Sequence, residues 1–241
     1  MIKKLSNNMA NFVLVHGSWH GGWCWKKMSP CLRKYGHEVY FPTLTGLGEK
    51  SHLISKNISL DTHIQYISQL IYYQDLKNII LVGHSYGGAV IRGVAEIIPR
   101  RIKRLVFLDA CIPENNKTIF DILPGLEEIF KKRLLDKKGK GWLVAPYEPE
   151  IWGVKNSDVK WMKERLTPMP WHTHDQPIQI KNPEARMISK SYISCTKYKE
   201  SQFIAKKVKS NKEWDYHEID TGHDAMITVP EELASLLNTL V

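Results

Sequence analysis

Gly83-His84-Ser85-Tyr86-Gly87 lies between a strand pattern and a helix pattern, and no other stretch of the 241-residue chain limits its fold so strongly. Upstream, Asn78-Ile79-Ile80-Leu81-Val82 is a continuous apolar, β-branched run of the kind buried on both faces of a parallel sheet. Downstream, Gly87-Gly88-Ala89-Val90-Ile91 opens a helical segment that lasts until Pro99. A G-x-S-x-G at such a junction predicts a tight strand-to-helix turn that strains the serine and exposes its hydroxyl above the sheet edge. The flanking glycines let strand and helix pass without Cβ clashes. Ser85 is therefore the candidate nucleophile, weighed against a serine in a purely structural turn.

Strand and helix patterns alternate around this turn. Strands are predicted over Asn11–His16, Glu38–Pro42, Asn78–Val82 and Lys103–Asp109, with helices over Gly22–Tyr35, Leu60–Tyr73 and Gly87–Ile98 between them. The rhythm breaks after Asp109 and resumes with a strand over Met187–Cys195, a helix over Phe203–Val208, a strand over Trp214–Ile219 and a closing helix from Pro230. Such alternation implies an α/β fold, a parallel sheet with helices on both faces. Residues 10–112 and 186–241 form the expected core. Residues 113–185, rich in Pro, Trp and Lys, with helical pieces at Leu126–Leu135 and Ser157–Leu166, are the expected cap over the site.

Composition narrows the class further. With 43% hydrophobic and 24% charged residues the chain can bury a sizeable core, and no run approaches the ~18 apolar residues of a membrane span. The first residues lack the apolar centre of a signal peptide, so a short disordered tail, with Met9 as an alternative start, and a cytoplasmic protein are expected. Cys24, Cys31, Cys111 and Cys195 form no C-x-x-C pair and read as reduced packing residues, the first two facing inward on one helix. The net charge of +9 comes from scattered lysines. The densest run, Lys131 to Lys140, lacks interleaved aromatics, so it reads as a solvated face rather than a nucleic-acid surface.

A serine hydroxyl needs a base within hydrogen-bond reach. Of ten histidines, His223 follows the last strand in Asp220-Thr221-Gly222-His223-Asp224, where a strand-end loop can carry it over the turn. The acid partner belongs between serine and histidine in chain order. Glu200 is the only carboxylate in the loop from Thr196 to Phe203 and is the favoured acid. Asp109 is the main rival, or else a cap on backbone amides, and Glu114 stands behind it. For the oxyanion, two backbone amides are expected: Tyr86, at the helix N-terminus, and Ser18, in Val15-His16-Gly17-Ser18-Trp19-His20-Gly21-Gly22, with Trp19 its neighbour. His16, Trp19, His20, Trp142 and Trp152 are candidates for the substrate pocket, with Trp161 and Trp171 as further pocket or core residues. Neither His16-x-x-x-His20, which crosses a glycine turn, nor His172-Thr173-His174-Asp175, followed by Gln176-Pro177, has a metal-ligand pattern, so no metal or organic cofactor is expected.

Four motifs carry a family resemblance. Phe12-Val13-Leu14-Val15-His16-Gly17-Ser18-Trp19-His20-Gly21-Gly22-Trp23-Cys24-Trp25 resembles the opening of the α/β-hydrolase branch that holds plant methylesterases, hydroxynitrile lyases and bacterial EstC-like and pyrethroid-hydrolase-like carboxylesterases. Pro42 to Glu49, Gly83 to Gly88 and Gly222-His223-Asp224-Ala225-Met226 look most like the bacterial esterases, and the likeness spans nearly the whole chain apart from the middle of the cap. It implies an α/β-hydrolase fold and a serine carboxylesterase, with Ser85, His223, Ser18 and Tyr86 in the roles above, while the expected capped chamber points to small or medium apolar esters. It also implies an acid a few residues before a Phe; Glu200, three before Phe203, stands where the family usually has Asp. Hydroxynitrile lyases of the branch carry a lysine beside the histidine, and Asp224 there disfavours that activity. A C–C-cleaving relative and a non-catalytic ligand receptor are the remaining alternatives. The expected partner is a small-molecule ester, with no nucleic acid and no membrane, and a homodimer is open as the assembly.

Overall fold

The computed structural model describes residues 9–135, 141–155 and 157–241. The expected N-terminal tail before Met9 and the lysine-rich end of the basic run lie outside the described residues. A six-stranded sheet in the order β2-β1-β3-β4-β7-β8, parallel throughout, forms the centre. Its strands are β1 (Asn11–Val15), β2 (Glu38–Tyr40), β3 (Ile79–His84), β4 (Ile102–Leu108), β7 (Ser189–Cys195) and β8 (Trp214–Ile219). β3 is buried along its whole length, as its unbroken apolar run requires.

Helices cover both faces: α1 (Ser29–Lys34), α2 (Leu60–Tyr73), α3 (Gly87–Ile97), α9 (Gln202–Lys209), α10 (Ala225–Thr228) and α11 (Pro230–Asn238). α2 starts at a capping box in which Ser59 and Thr62 serve each other's backbone. The helix expected over Gly22–Tyr35 divides into a 3₁₀ turn at Gly22–Trp25 and α1, which begins beside Pro30, since proline fits the first turn of a helix and not its interior. Cys24 and Cys31 therefore sit on separate turns, the first buried and the second half-buried; all four cysteines are free.

Between β4 and β7 the chain leaves the sheet. This insertion holds α4 (Ile119–Ile122), α5 (Leu126–Lys132), β5 (Leu143–Val144), α6 (Ser157–Lys163), β6 (Met169–Pro170), α7 (His172–Asp175) and α8 (Pro183–Arg186), with β5 and β6 paired antiparallel. It is tied to the first sheet loop, where the Thr167 amide donates to the Trp19 carbonyl at 3.0 Å.

Register decides where chemistry can collect. Val15 pairs with Gly83, His84 with Leu108, Leu108 with Ile193 and Cys195 with Ile219. The strands therefore end side by side, and the loops after β1, β3, β4, β7 and β8 meet at one edge of the sheet. Beneath that edge, Phe12, Trp25, Phe107 and Tyr192 are essentially inaccessible, each burial worth roughly 1.5–3 kcal/mol. Among the described residues, no helix is long and apolar enough to cross a membrane.

Candidate active site

Ser85 sits at the turn between β3 and α3 with φ of +54°, a left-handed conformation that costs a non-glycine residue on the order of 1–3 kcal/mol. The cost is met by the backbone around it. The Ser85 amide donates to Leu108 at 3.2 Å, and its carbonyl accepts from Gly88 at 3.1 Å and Cys111 at 3.2 Å. A Cβ on Gly83 would stand 2.5 Å from the Gly87 carbonyl oxygen, so the turn closes only with glycine there. The strain expected from the sequence is present, and the serine expected to be exposed is half-buried.

His223, on the loop after β8, is held by Asp109 rather than by Glu200. Its Nδ1 donates to Asp109 Oδ2 at 2.6 Å, and both side chains are buried. Asp109 directly follows β4 with φ of +44°. Its other oxygen accepts from the Ser201 hydroxyl at 2.7 Å and the Cys195 amide at 3.2 Å. This corrects the favoured assignment. The loop after β7 supplies a hydroxyl, Ser201, that supports the carboxylate, while Glu200 lies exposed at the cavity rim. Glu114 is removed altogether, paired with Lys207 at 2.8 Å on the surface. Burial pulls the His223 imidazole down, but the hydrogen bond and charge of Asp109, with Asp224 and Glu200 adding to them, leave it above its ordinary value. The rings of His84 and Tyr198 pack on it at 4.5 and 4.3 Å between centroids.

The loop after β1 lies directly over this turn. A Cβ on Gly17 would come within 2.8 Å of Ser85 Cβ, so glycine allows the backbone its close approach. Among the described residues no acceptor takes the amides of Ser18 or Tyr86, which leaves both free for an oxyanion.

Neutral histidines brace the loops. His16 Nδ1 donates to the Gly17 carbonyl at 2.8 Å while Nε2 accepts from the Leu44 amide at 3.0 Å. His63 Nε2 donates to the Thr45 carbonyl, and its Nδ1 accepts from the Tyr86 hydroxyl, both at 2.9 Å. Thr173 gives its hydroxyl proton to Pro170, so it accepts from His174 Nδ1; His174 Nε2 then accepts from the Ser18 hydroxyl at 3.1 Å. Burial lowers these three rings to about 3, 4 and 3 respectively.

Ser18, Ser85, Tyr86, Asp109 and His223 line one cavity of about 200 Å³, small beside the ~300–1,000 Å³ of ordinary ligand pockets. Its walls are mainly apolar, with Ile119, Leu123 and Phe130 from the insertion, and partly exposed Ile129 and Phe203 at the opening. Of the expected pocket residues, Trp19 and Trp152 line it. His16 and His20 do not, because both are committed to bonds in the core, and neither does Trp142, which directly precedes β5 and accepts at its carbonyl from the Trp171 amide. Trp161 packs on Trp23 and Trp171 on Phe120, away from the lining. Sequence reasoning missed His174, Tyr147 and Tyr198 as lining residues. His172 pairs with Asp175 at 3.0 Å, and no cluster of metal-ligating side chains occurs among the described residues.

Comparison with known proteins gives a consistent picture. A profile described as the alpha/beta hydrolase family matches residues 12–236. The chain is 37% identical over 243 residues to a carbendazim hydrolyzing esterase from Nocardioides sp. (strain SG-4G), covering 96% of this chain and 100% of that protein. It is 25% identical over 261 residues to methylesterase 7 of Arabidopsis thaliana, covering 96% of each. The solved structure of an extracellular α/β-hydrolase from a Paenibacillus species superposes with a TM-score of 0.83 at 26% identity, covering 95% of this chain and 98% of that one.

Proposed function

Because the chain belongs to the α/β hydrolase family, we propose that it is a serine carboxylic-ester hydrolase working through Ser85, His223 and Asp109. The observation that carries this reading is the 2.6 Å Asp109–His223 bond inside the cavity that Ser85 also lines. Ser85 Oγ attacks the ester carbonyl carbon while His223 Nε2 takes its proton. Asp109 fixes the tautomer by accepting from Nδ1 and stabilises the imidazolium that forms. The oxyanion is taken up by the Ser18 and Tyr86 amides. Collapse of the tetrahedral intermediate breaks the C–O bond, and His223 returns the proton to the departing alcohol. Water, deprotonated by the same imidazole, then cleaves the acyl-enzyme and regenerates Ser85.

The size and apolar walls of the cavity favour small esters, and residues 113–185 act as its cap. Carbendazim and methyl esters, named for the relatives, are the first compounds to assay. A lyase reading has no support in the geometry: the residue after the base is Asp224, whose carboxylate faces His20 in the core. The deciding experiment compares hydrolysis of a chromogenic short-chain ester by wild type and Ser85→Ala, together with labelling by an organophosphonate. Hydrolysis and labelling that both disappear in the variant are expected. A wild type no faster than Ser85→Ala, and unlabelled, sinks the reading in favour of a non-catalytic receptor.

A further inference from the structure

The protein carries 34 lysines and arginines and a net charge of +9, yet among the described residues none of them lines the cavity. The charged lining groups are Asp109, already paired with His223, and Glu200. Of the nearby lysines, Lys197 pairs with Asp220 and Lys207 with Glu114, each at 2.8 Å, and Lys199, beside Glu200 in sequence, is exposed and outside the lining. Around Glu200 the lining is aromatic. Trp19 meets Tyr147 edge-on at 4.9 Å and stacks with Trp152 at 6.1 Å, Tyr147 and Trp152 are 6.1 Å apart, and Tyr198 packs on the base itself. Burial first, and then the charge of Glu200, pushes the Tyr198 phenol up. The Arg133 guanidinium lies over the Tyr147 ring at 4.8 Å and is tied to the carbonyls of Ala145 and Pro146.

Several electron-rich rings with one carboxylate are how proteins hold an ammonium group, because the ring quadrupole attracts a cation without the hydration cost of a second buried anion. Position gives the group its place in the substrate. His223 must deliver its proton to the leaving oxygen, so Tyr198, whose ring packs on His223, and Trp152, whose carbonyl lies against the adjacent Gly222, mark the alcohol half of an ester. We propose that the cavity beside His223 is a subsite for a cationic nitrogen, a protonated amine or quaternary ammonium carried by the alcohol half of the ester, held by Trp19, Trp152 and Tyr198 with Glu200 as its counter-charge. This rests on the ester-hydrolase reading for its substrate class, but not for its binding of the cation.

Acetylcholine and its uncharged isostere 3,3-dimethylbutyl acetate form a matched pair that separates charge from shape. Wild type is expected to favour the cation in kcat/KM by about tenfold or more, and Glu200→Gln and Trp152→Leu each to remove most of that preference. A wild-type ratio near one, or a preference untouched by both variants, overturns the subsite and leaves the hydrolase standing. Binding is read separately in Ser85→Ala by quenching of tryptophan fluorescence with tetramethylammonium, using neopentyl alcohol as the neutral control. Saturable quenching by the ammonium, weakened in Ser85→Ala/Glu200→Gln, supports the subsite even where neither ester is turned over; the hydrolase reading stands or falls separately, on the chromogenic ester and the organophosphonate. No saturation, or equal binding of the alcohol, overturns the subsite.

Discussion

Two consecutive residues, His223 and Asp224, build two buried histidine–aspartate pairs that face opposite ways. His223 reaches Asp109 at 2.6 Å and lines the cavity, whereas Asp224 reaches His20 at 3.3 Å in the core. In the second pair both ring nitrogens are used, since His20 Nδ1 also bonds the Ser18 carbonyl at 2.7 Å. In the first, Nδ1 is held and Nε2 is left for the substrate. Burial opposes ionisation of Asp224, but His20, His84 and His223 together keep its carboxyl below the usual range. The same two side-chain types thus give the pair proposed for proton transfer where a cavity reaches the ring, and a strut beneath the Ser18 backbone where it does not.

The largest separation between them is expected in turnover. Asp109→Asn should lower kcat about 10⁴-fold, because an amide at that position favours the wrong imidazole tautomer and cannot stabilise the cation. As the loss of one member of a buried pair, it should also cost about 3 kcal/mol of stability, so turnover and not melting separates the two pairs. The pH at which kcat/KM rises should also fall, since the burial that depresses His223 then acts without the opposing carboxylate. Glu200→Gln in the same assay, with a neutral ester, distinguishes the two carboxylates. If Glu200→Gln is the crippled enzyme and Asp109→Asn is not, the assignment is reversed.

Next in size is a loss of stability on acidification that spares both pairs. His16, His63 and His174, lowered to about 3, 4 and 3, are neutral braces that cannot bind the protons the unfolded chain accepts below its ordinary 6.5. Their contribution is complete above pH 6.5 and is lost as pH falls. At pH 5.5 each has cost about 1.4 kcal/mol, so roughly 4 kcal/mol in all, a large part of a typical 5–15 kcal/mol. His84, also pushed down by burial, adds in the same direction. His223 opposes them only above pH 6.5, where its raised value lets the folded state take its proton first, and Asp224 begins to lose its contribution only below about 4. Urea titrations between pH 7 and 5 measure the slope directly. A flat stability across that range contradicts the brace role.

Asp224→Asn should cost stability rather than chemistry. Removing one member of a buried pair typically costs about 3 kcal/mol, near 10 °C of melting temperature for a chain of this length, with kcat within about tenfold of wild type. A variant that melts normally but turns over as poorly as Asp109→Asn erases the distinction between the pairs.

What was legible in the sequence follows the same division. The serine turn and the histidine loop are encoded locally, by glycines flanking Ser85 and preceding His223 beside strongly apolar strands. The acid is encoded by strand pairing. Asp109 meets the loop after β7 only because Leu108 pairs with Ile193, which brings the Ser201 hydroxyl and Cys195 amide onto one carboxylate oxygen. Sequence order pointed to the loop after β7, which supplies the supporting Ser201 hydroxyl, while the carboxylate itself stands directly after β4. His174 and Tyr147 were hidden for a further reason: the insertion has no apolar periodicity, so their places depend on packing against Trp19 and Ser18.

The smallest effect is expected at Ser18, where core and insertion hold the same residue from two sides. His20 bonds its carbonyl and His174 accepts from its hydroxyl. Ser18→Ala removes only the second bond and leaves the buried, neutral Nε2 of His174 without a donor, a cost of about 1–2 kcal/mol in stability. The backbone amide proposed for the oxyanion keeps its support from the His20–Asp224 strut, so kcat should stay within about threefold while KM rises as the insertion loses a tie to the sheet. A hundredfold fall in kcat with unchanged KM gives the opposite answer. The insertion, and not the buried pair, would then set the oxyanion geometry.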